Sequence, residues 1–101
     1  MEATTPARTV THWELRALLT LHIHAAGPTT VAELVTAVER EGWRLRGRTS
    51  KVVSDALRAE VSKGWVRRVA RGVYAPGRLP RSSKSRLRGR VRRARDRLGP
   101  A

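Results

Sequence analysis

Two short stretches of the chain each carry the signals that begin and end a helix. In both, a threonine is followed three residues later by a glutamate, which is the spacing of a capping box. Leucine and valine then recur at helical spacing until a glycine, whose backbone allows the left-handed conformation that ends many helices. The sequence therefore predicts two helices, over residues 11–26 and 30–41, joined by a tight turn at Gly27-Pro28.

A third helical pattern follows a basic connection over residues 43–48. It predicts a helix over residues 50–63, with Thr49 or Ser50 as its cap and Gly64 at its end. The inner stripe of this helix consists of Val53, Ala56, Leu57 and Val61. The opposite face carries short polar or cationic side chains, namely Lys51, Ser54, Asp55, Arg58 and Ser62. A face of this kind suits a groove of nucleic acid.

The segment at residues 65–75 differs from the helical patterns because it is rich in β-branched and aromatic residues. Arg71-Gly72 lies at its centre, and glycine supplies the positive φ that a tight hairpin turn needs. We therefore predict a two-stranded β-ribbon that packs on the helices, because an isolated hairpin is only marginally stable in water. Pro76-Gly77 closes this domain.

Basic residues are concentrated at the end of the chain, which has a net charge of +14. Residues 78–101 contain ten of the 22 basic residues and a single acid, Asp96. A polycation of this kind favours a partner with dense negative charge, most commonly nucleic acid, and binds it by releasing counterions from the phosphates. The tail therefore indicates nucleic-acid binding that does not depend on base sequence.

Two structural states are open for this tail. Four apolar residues are spaced to share one helix face, namely Leu87, Val91, Ala94 and Leu98. Gly89 and the repulsion between like charges oppose a free helix. We therefore expect a mostly disordered tail that becomes helical when its charges are neutralised or its stripe docks. Arg88-Gly89-Arg90, like Arg46-Gly47-Arg48, also resembles the Arg-Gly-Arg core of AT-hook segments, which lie in A·T-rich minor grooves.

The aromatic residues favour structural roles over base stacking. Trp13, Trp43 and Trp65 each stand beside a helix end or a strand start, where a small core needs a large apolar anchor. We therefore expect all three tryptophans in the core. Tyr74 is likewise expected to pack in the core or against the hairpin.

The sequence carries no pattern typical of an enzyme. His22 and His24 are two residues apart on a predicted helix and point in different directions, so they do not predict a metal site. The chain has no cysteine, no phosphate-binding loop and no glycine-rich elbow around a serine. We therefore expect no catalysis, no cofactor and no metal. The lack of a long apolar run or a signal peptide, and the excess of Arg over Lys, give the expectation of a cytoplasmic bacterial protein with no membrane partner. The nucleoid is the expected location if the chain binds DNA.

The predicted order of three helices and a hairpin with a basic tip resembles the winged helix-turn-helix superfamily, and the HARE-type winged helices in particular. The resemblance is carried by Gly47–Arg58, Gly64-Trp65-Val66 and Arg71-Gly72-Val73-Tyr74, and it covers residues 11–77. It implies a mainly α fold with three helices and a small β-hairpin, the wing, followed by the Arg-rich tail. It also implies DNA binding, with the third helix in the major groove and the wing on an adjacent minor groove or phosphate.

The resemblance also implies which residues contact DNA. On the third helix these are Thr49, Ser50, Lys51, Ser54, Asp55 and Arg58, and on the wing they are Arg67, Arg68 and Arg71. The charge pattern adds Arg46 and Arg48 from the connection and Arg86, Arg88, Arg90, Arg92 and Arg93 from the tail. The chain has no Asn or Gln, the usual readers of adenine, so these residues favour affinity over sequence specificity.

These observations predict three regions and a function. The regions are a disordered lead-in over 1–10, a winged-helix domain over 11–77 and a basic tail over 78–101. The predicted function is binding of double-stranded DNA, as a nucleoid-associated architectural protein or as a transcriptional regulator. Two alternatives stay open, an RNA-binding or ribosome-associated protein and a winged-helix module that binds a protein partner. The sequence leaves the oligomeric state undetermined.

Overall fold

The computed structural model describes residues 9–99, which form four helices and a three-stranded antiparallel sheet. The helices are α1 (His12–Ala26), α2 (Val31–Glu41), α3 (Thr49–Lys63) and α4 (Arg81–Leu98). The strands are β1 (Thr29–Thr30), β2 (Val66–Ala70) and β3 (Val73–Pro76), in the order β1-β3-β2. The predicted fold class, mainly helical with a small hairpin, is confirmed at this level. Residues 1–8 of the predicted lead-in lie outside the described residues.

Both predicted capping boxes are present. At the start of α1 the Glu14 N–H donates to the Thr11 hydroxyl at 3.2 Å, and the Glu14 carboxylate accepts from the Thr11 N–H at 2.9 Å. Thr30 and Glu33 make the same two bonds at the start of α2, at 3.1 and 2.8 Å. A glycine with positive φ follows each helix. These bonds satisfy N–H groups that a helix start otherwise leaves unpaired, so both helices begin where the sequence predicts.

The start of α3 differs from the prediction that Thr49 or Ser50 caps this helix. The cap position is Arg48, whose backbone is extended (φ −68°, ψ 126°) and whose side chain makes no capping hydrogen bond. A capping side chain must come from the last extended residue, because only there does its oxygen point at the N–H groups of the first turn. Thr49 is already helical and therefore lies one residue too late to act as the cap.

The hairpin forms as predicted, with Arg71 and Gly72 in the turn between β2 and β3. The φ of Gly72 is 70°, a left-handed value that glycine adopts without strain. The sequence pattern does not predict β1, which has only two residues and pairs with the outer side of β3. The Val31 N–H donates to the Gly72 carbonyl at 3.0 Å, so the turn of the hairpin is fastened to the start of α2.

Thr9 and Val10 are structured, so the prediction of disorder is wrong for these two residues. Thr9 forms a parallel bridge with Arg44, and the Val10 N–H donates to the Arg44 carbonyl at 2.9 Å. The Val10 side chain is buried in the core. A single apolar residue before a helix has no periodicity, so the sequence pattern does not reveal this contact.

The Arg-rich tail is helical in the free chain, whereas we expected it to be mostly disordered without a partner. α4 packs against α1, in the same core as the other helices. Its buried apolar stripe is the predicted one, Leu87, Val91, Ala94 and Leu98. Two of its arginines also reach acids on other helices, Arg95 at 2.6 Å from Glu41 and Arg97 at 2.5 Å from Glu14. Burial of the stripe offsets the cost of a mid-helix glycine and of like-charge repulsion, and the core extends beyond residue 77.

The three tryptophans differ in burial. Trp43 is 6% exposed and belongs to the core, and Trp65 is partly buried against it. Trp13 is 51% exposed, so the prediction of a core position is wrong for this residue. Trp13 lies on the side of α1 that carries Arg16, whose guanidinium is 4.7 Å from the ring centroid, and outside the stripe of α1 leucines that faces the core.

Candidate nucleic-acid interface

A groove with a volume of about 660 Å³ lies between α3 and the hairpin. Its lining includes Ser54 and Arg58 from α3, Arg68, Arg71 and Tyr74 from the hairpin, and Val31 from the start of α2. Five of these six residues come from two elements that are separate in the sequence pattern. Tertiary packing therefore joins polar and cationic residues of the predicted helix face to residues of the predicted wing.

Local geometry explains why these side chains converge. Ser54 and Arg58 are four residues apart on α3, which places them on one face, one turn from each other. Arg68 stands opposite Tyr74 in the register of the hairpin, so both side chains lie on the same side of the sheet. Arg71 is carried by the turn that the bond from α2 holds in place. The groove thus has cations on both walls.

Lys51 and Asp55 form an ion pair on the exposed side of α3, beside the groove residues Ser54 and Arg58. The Lys51 Nζ lies 3.0 Å from the Asp55 Oδ2, and the two side chains are 71% and 51% exposed. An exposed pair at this spacing contributes only about 0.3–0.5 kcal/mol to stability. Asp55 nevertheless offsets the positive charge of Lys51 on the surface that the resemblance assigns to DNA.

The start of α3 presents further groups that favour an anion. Because Arg48 supplies no side-chain cap, the N–H groups of the first turn have no capping acceptor. These groups carry the positive end of the helix dipole, which favours phosphate. Arg46, Arg48 and Ser50 are exposed around this point, and Thr49 is half-buried. Gly47, with a φ of 95°, provides the turn between the two arginines.

Arg67 does not share the groove with the other wing arginines. Its Nε donates to the Pro76 carbonyl at 3.1 Å. Successive residues of a strand point to opposite faces of the sheet, so Arg67 and Arg68 project in opposite directions. The structure therefore separates Arg67 from Arg68 and Arg71, which the sequence had grouped together.

The tail arginines lie on a different surface from the groove. α3 contacts the side of α1 that carries Arg16 and Thr20, since both side chains bond to Glu60 of α3. α4 contacts the side of α1 that carries Glu14, which is paired with Arg97. Among the predicted tail residues, Arg86, Arg88, Arg92 and Arg93 are exposed and Arg90 is partly buried. The structure does not bring these five residues to the groove.

The Arg88-Gly89-Arg90 segment is helical, within α4. Residues two apart on a helix point to nearly opposite sides, so Arg88 and Arg90 do not project together. Arg88 lines a cavity between α1, α2 and α4, whereas the Arg90 guanidinium lies 5.9 Å from the ring centroid of Trp13. The segment therefore has the residues of an AT-hook core, but its two arginines do not point in the same direction.

Trp13 is the centre of a cluster of cations that sequence reasoning missed. Arg16 lies 4.7 Å, Lys63 5.8 Å and Arg90 5.9 Å from the centroid of its ring. Lys63 also lies 4.4 Å from the ring of Trp65. Cations at these distances are attracted to the face of an aromatic ring. The members come from α1, α3 and α4, so no local pattern in the sequence brings them together.

Glu60 is a buried acid that holds α3 on α1, and sequence reasoning also missed it. Its side chain is 1% exposed, and it accepts hydrogen bonds from Thr20 Oγ1 at 2.7 Å and from Arg16 Nε at 2.8 Å. The Lys63 Nζ lies 3.8 Å away. A buried carboxylate is tolerated only when it is paired in this way. In the sequence, the burial of Glu60 is indicated by its position three residues after Leu57, on the inner side of α3.

Ion pairs fix α4 to the rest of the protein. Burial by itself would raise the pKa of Glu14, but hydrogen bonds from the Thr11 N–H and from Arg97 outweigh it and hold the pKa below its usual value. The hydrogen bond to Glu41 raises the pKa of Arg95. Each of these two shifts favours the charged form of the group that shows it.

Metal sites and membrane spans are both absent from residues 9–99. In this part of the chain no three His, Cys, Asp or Glu side chains cluster as metal ligands would, and no helix is both long and apolar enough to cross a membrane. Comparison of the chain with protein-family models, with curated proteins and with solved structures gives no significant match.

Proposed function

We propose that this chain binds double-stranded DNA as a winged helix-turn-helix protein, with α3 in the major groove and the β2–β3 hairpin on the adjacent backbone or minor groove. The observation that carries this proposal is the groove whose two walls present Arg58 on one side and Arg68 and Arg71 on the other. Cations that converge from two elements on one concave surface suit the phosphates that border a DNA groove.

The dimensions of α3 support a place in the major groove. An α-helix with its side chains is about 10–12 Å in diameter, and the major groove of B-DNA is about 12 Å wide. The outward face of α3 carries short side chains such as Ser50 and Ser54, which allow the backbone to approach the base edges. A-form RNA has a deep and narrow major groove that does not admit such a helix, so this geometry favours DNA over RNA.

The chemistry of the interface favours affinity over sequence reading. Arg58 is the groove residue on α3 that can contact guanine strongly, and the chain has no Asn or Gln to read adenine. Phosphate contacts position a protein on the duplex but carry no base information. We therefore place the protein among architectural or nucleoid-associated proteins, which act by occupying DNA, ahead of operator-specific regulators.

The proposal is tested by fluorescence anisotropy on random, A·T-rich and G·C-rich duplexes over a salt series. If about eight phosphates are neutralised, log K falls with log salt with a slope near −7. Arg68→Gln should weaken binding to all three duplexes alike and reduce the slope by about 1. Arg67→Gln is the matched control, because it removes the same charge from the neighbouring residue of β2 that points away from the groove.

Each outcome of this experiment discriminates between functions. Equal losses for the two variants would show that the groove is not the contact surface. Failure of the unaltered protein to bind any duplex at moderate salt would reject DNA as the partner. Tighter binding to an RNA hairpin than to duplex DNA in direct competition would favour the RNA-binding alternative.

A further inference from the structure

The outward face of α4 is a second cationic surface. Seven of its arginines are exposed, and Arg95 and Arg97 pair with acids on other helices. The other five are Arg81, Arg86, Arg88, Arg92 and Arg93. None of the five forms an ion pair with an acid among residues 9–99. The proposed function as stated, with one duplex against α3 and the hairpin, makes no use of these charges.

These arginines form two rows along the helix. Arg81, Arg88 and Arg92 are seven and four residues apart and share one side, and Arg86 and Arg93 are seven apart on the other. Gly89 and the exposed acid Asp96, which are seven residues apart, lie between the rows along the middle of the outward face. The longer row extends over about 16 Å at the rise of an α-helix. A duplex presents roughly ten phosphates over that length, so the five arginines supply a cation for about half of them.

The face is held rigid by the other arginines of α4. Arg95 and Arg97 are paired with Glu41 and Glu14, and the apolar stripe on the inner side is buried against α1. The exposed rows are therefore displayed in a fixed direction by a packed helix, and binding a ligand requires no folding of this segment. Little backbone conformational entropy would be lost when the face is occupied.

The helix α4 and the groove helix α3 lie against different sides of α1. On α1, Arg16 and Thr20 contact α3, whereas Glu14 contacts α4. At 100° per residue these two sides of α1 are separated by roughly 140°. A short duplex in the groove therefore meets the molecule from one side while the arginine rows face another. DNA of this length is too stiff to bend around the protein and reach both surfaces.

We propose that the outward face of α4 binds a second DNA duplex, so that one copy of this protein bridges two duplexes. The inference rests on the proposed function for its first duplex. Charge complementarity selects the occupant, because the face carries five guanidinium groups that form no ion pair within residues 9–99, and a duplex is the same class of polyanion that the groove suits. A second copy of the chain is a poor occupant, since two such faces would repel each other.

The test is a two-duplex capture experiment with the full chain. One duplex of about 25 base pairs, too short and stiff to contact both faces, is fixed to beads, and a second, fluorescent duplex is supplied in solution. The combined variant Arg88→Gln, Arg92→Gln, Arg93→Gln should capture at least about tenfold less of the second duplex than the unaltered protein does. Its affinity for a single duplex, measured by anisotropy, should fall by less than about threefold, because the groove is intact. The corresponding Arg→Lys variant keeps the charges and should retain capture.

The readouts separate this inference from the proposed function. A thermal melt of each variant should match the unaltered protein, since the three side chains are exposed and make no ion pair in the described residues.

Undiminished capture by the Gln variant would overturn the inference. That result is expected if a dimer holds the two duplexes, one in the groove of each copy. Binding of single duplexes without capture of a second one would also overturn it and leave the proposed function standing. Preferential capture of an RNA hairpin at the second surface would overturn the assignment to duplex DNA. Failure to bind a single duplex would instead reject the proposed function.

Discussion

The groove between α3 and the hairpin and the outward face of α4 are both rich in arginine, but they are built in different ways. In the groove, Arg58, Arg68 and Arg71 come from three points of the chain and converge on one concavity. On α4 the arginines alternate with the apolar residues of a single helix and diverge from its axis. Tertiary packing creates the groove, because it brings α3 and the hairpin together. On α4 the arginines already share one helix, and packing sets only the direction in which they face.

This difference changes how a run of positive charge should be studied. The same 18 residues of α4 supply charge on one side and core on the other, so deletion removes both properties together. A loss of DNA binding after truncation would therefore not identify phosphate contacts. Substitution of exposed arginines separates the two roles, because the buried stripe stays in place.

The largest effect is expected from removal of residues 78–101. The truncated chain should lose cooperative thermal unfolding or melt far below the full chain, because Leu18 and its neighbours on α1 lose the stripe that covers them. Circular dichroism of the two chains measures this. The Arg88→Gln, Arg92→Gln, Arg93→Gln variant is the control and should melt like the full chain. A truncated chain with an unchanged melting temperature would show that α4 is a dispensable appendage.

Glu60→Ala should produce the next largest loss. It leaves Arg16 without its buried partner and Thr20 without an acceptor, so the free energy of unfolding should fall by about 3 kcal/mol. Urea denaturation measures this change. Glu39→Ala removes an exposed acid from α2 and should change stability by less than about 0.5 kcal/mol. Similar effects for the two substitutions would mean that Glu60 does not hold α3, and thus the groove, in place.

Asp55→Asn should act on binding with little effect on stability. It removes a negative charge from the face of α3 and releases Lys51, so affinity for duplex DNA should rise by about threefold to tenfold. The loss of an exposed pair should change the unfolding free energy by less than about 0.5 kcal/mol. Anisotropy and urea denaturation give the two values. An unchanged or weaker affinity would place DNA away from this face of α3.

The smallest expected effect is on the pH dependence of stability, through the ion pair between Glu14 of α1 and Arg97 of α4. The pKa of Glu14 is lowered in the folded protein, so its contribution to stability is present above the unfolded pKa and is lost as pH falls through the folded pKa. Between about pH 5 and pH 3 the melting temperature of Glu14→Gln should therefore fall less steeply than that of the unaltered protein. Gln keeps the capping box, so only the charge paired with Arg97 is removed.

The second capping box provides the control for that measurement. Glu33→Gln makes the same change in a box whose glutamate forms no ion pair with an arginine among the described residues. Its melting temperature should follow the pH dependence of the unaltered protein more closely than Glu14→Gln does. Equal flattening by both variants would show that the Arg97 pair adds nothing beyond the cap.

Local features were predictable from the sequence because their physical causes are local. The capping boxes at Thr11 and Thr30, and the turn at Gly72, each depend on residues at most three positions apart. The cap of α3 was predicted one or two residues too late. The chain changes from extended to helical between Arg48 and Thr49, and the residue types there do not reveal that point. β1 was missed because two residues carry no period, and its partner strand lies more than forty residues away.

The sequence by itself determined the first three helices, the turn of the hairpin and the amphipathic pattern of α4, since periodicity, capping chemistry and glycine conformation specify these locally. Only the tertiary structure decided where each surface points. It exposed Trp13 among three cations, turned Arg67 away from the groove and fixed α4 to α1 through Glu14 and Glu41. The physical reason is that burial and ion pairing are set by partners distant in sequence, and a pattern within one segment contains no information about those partners.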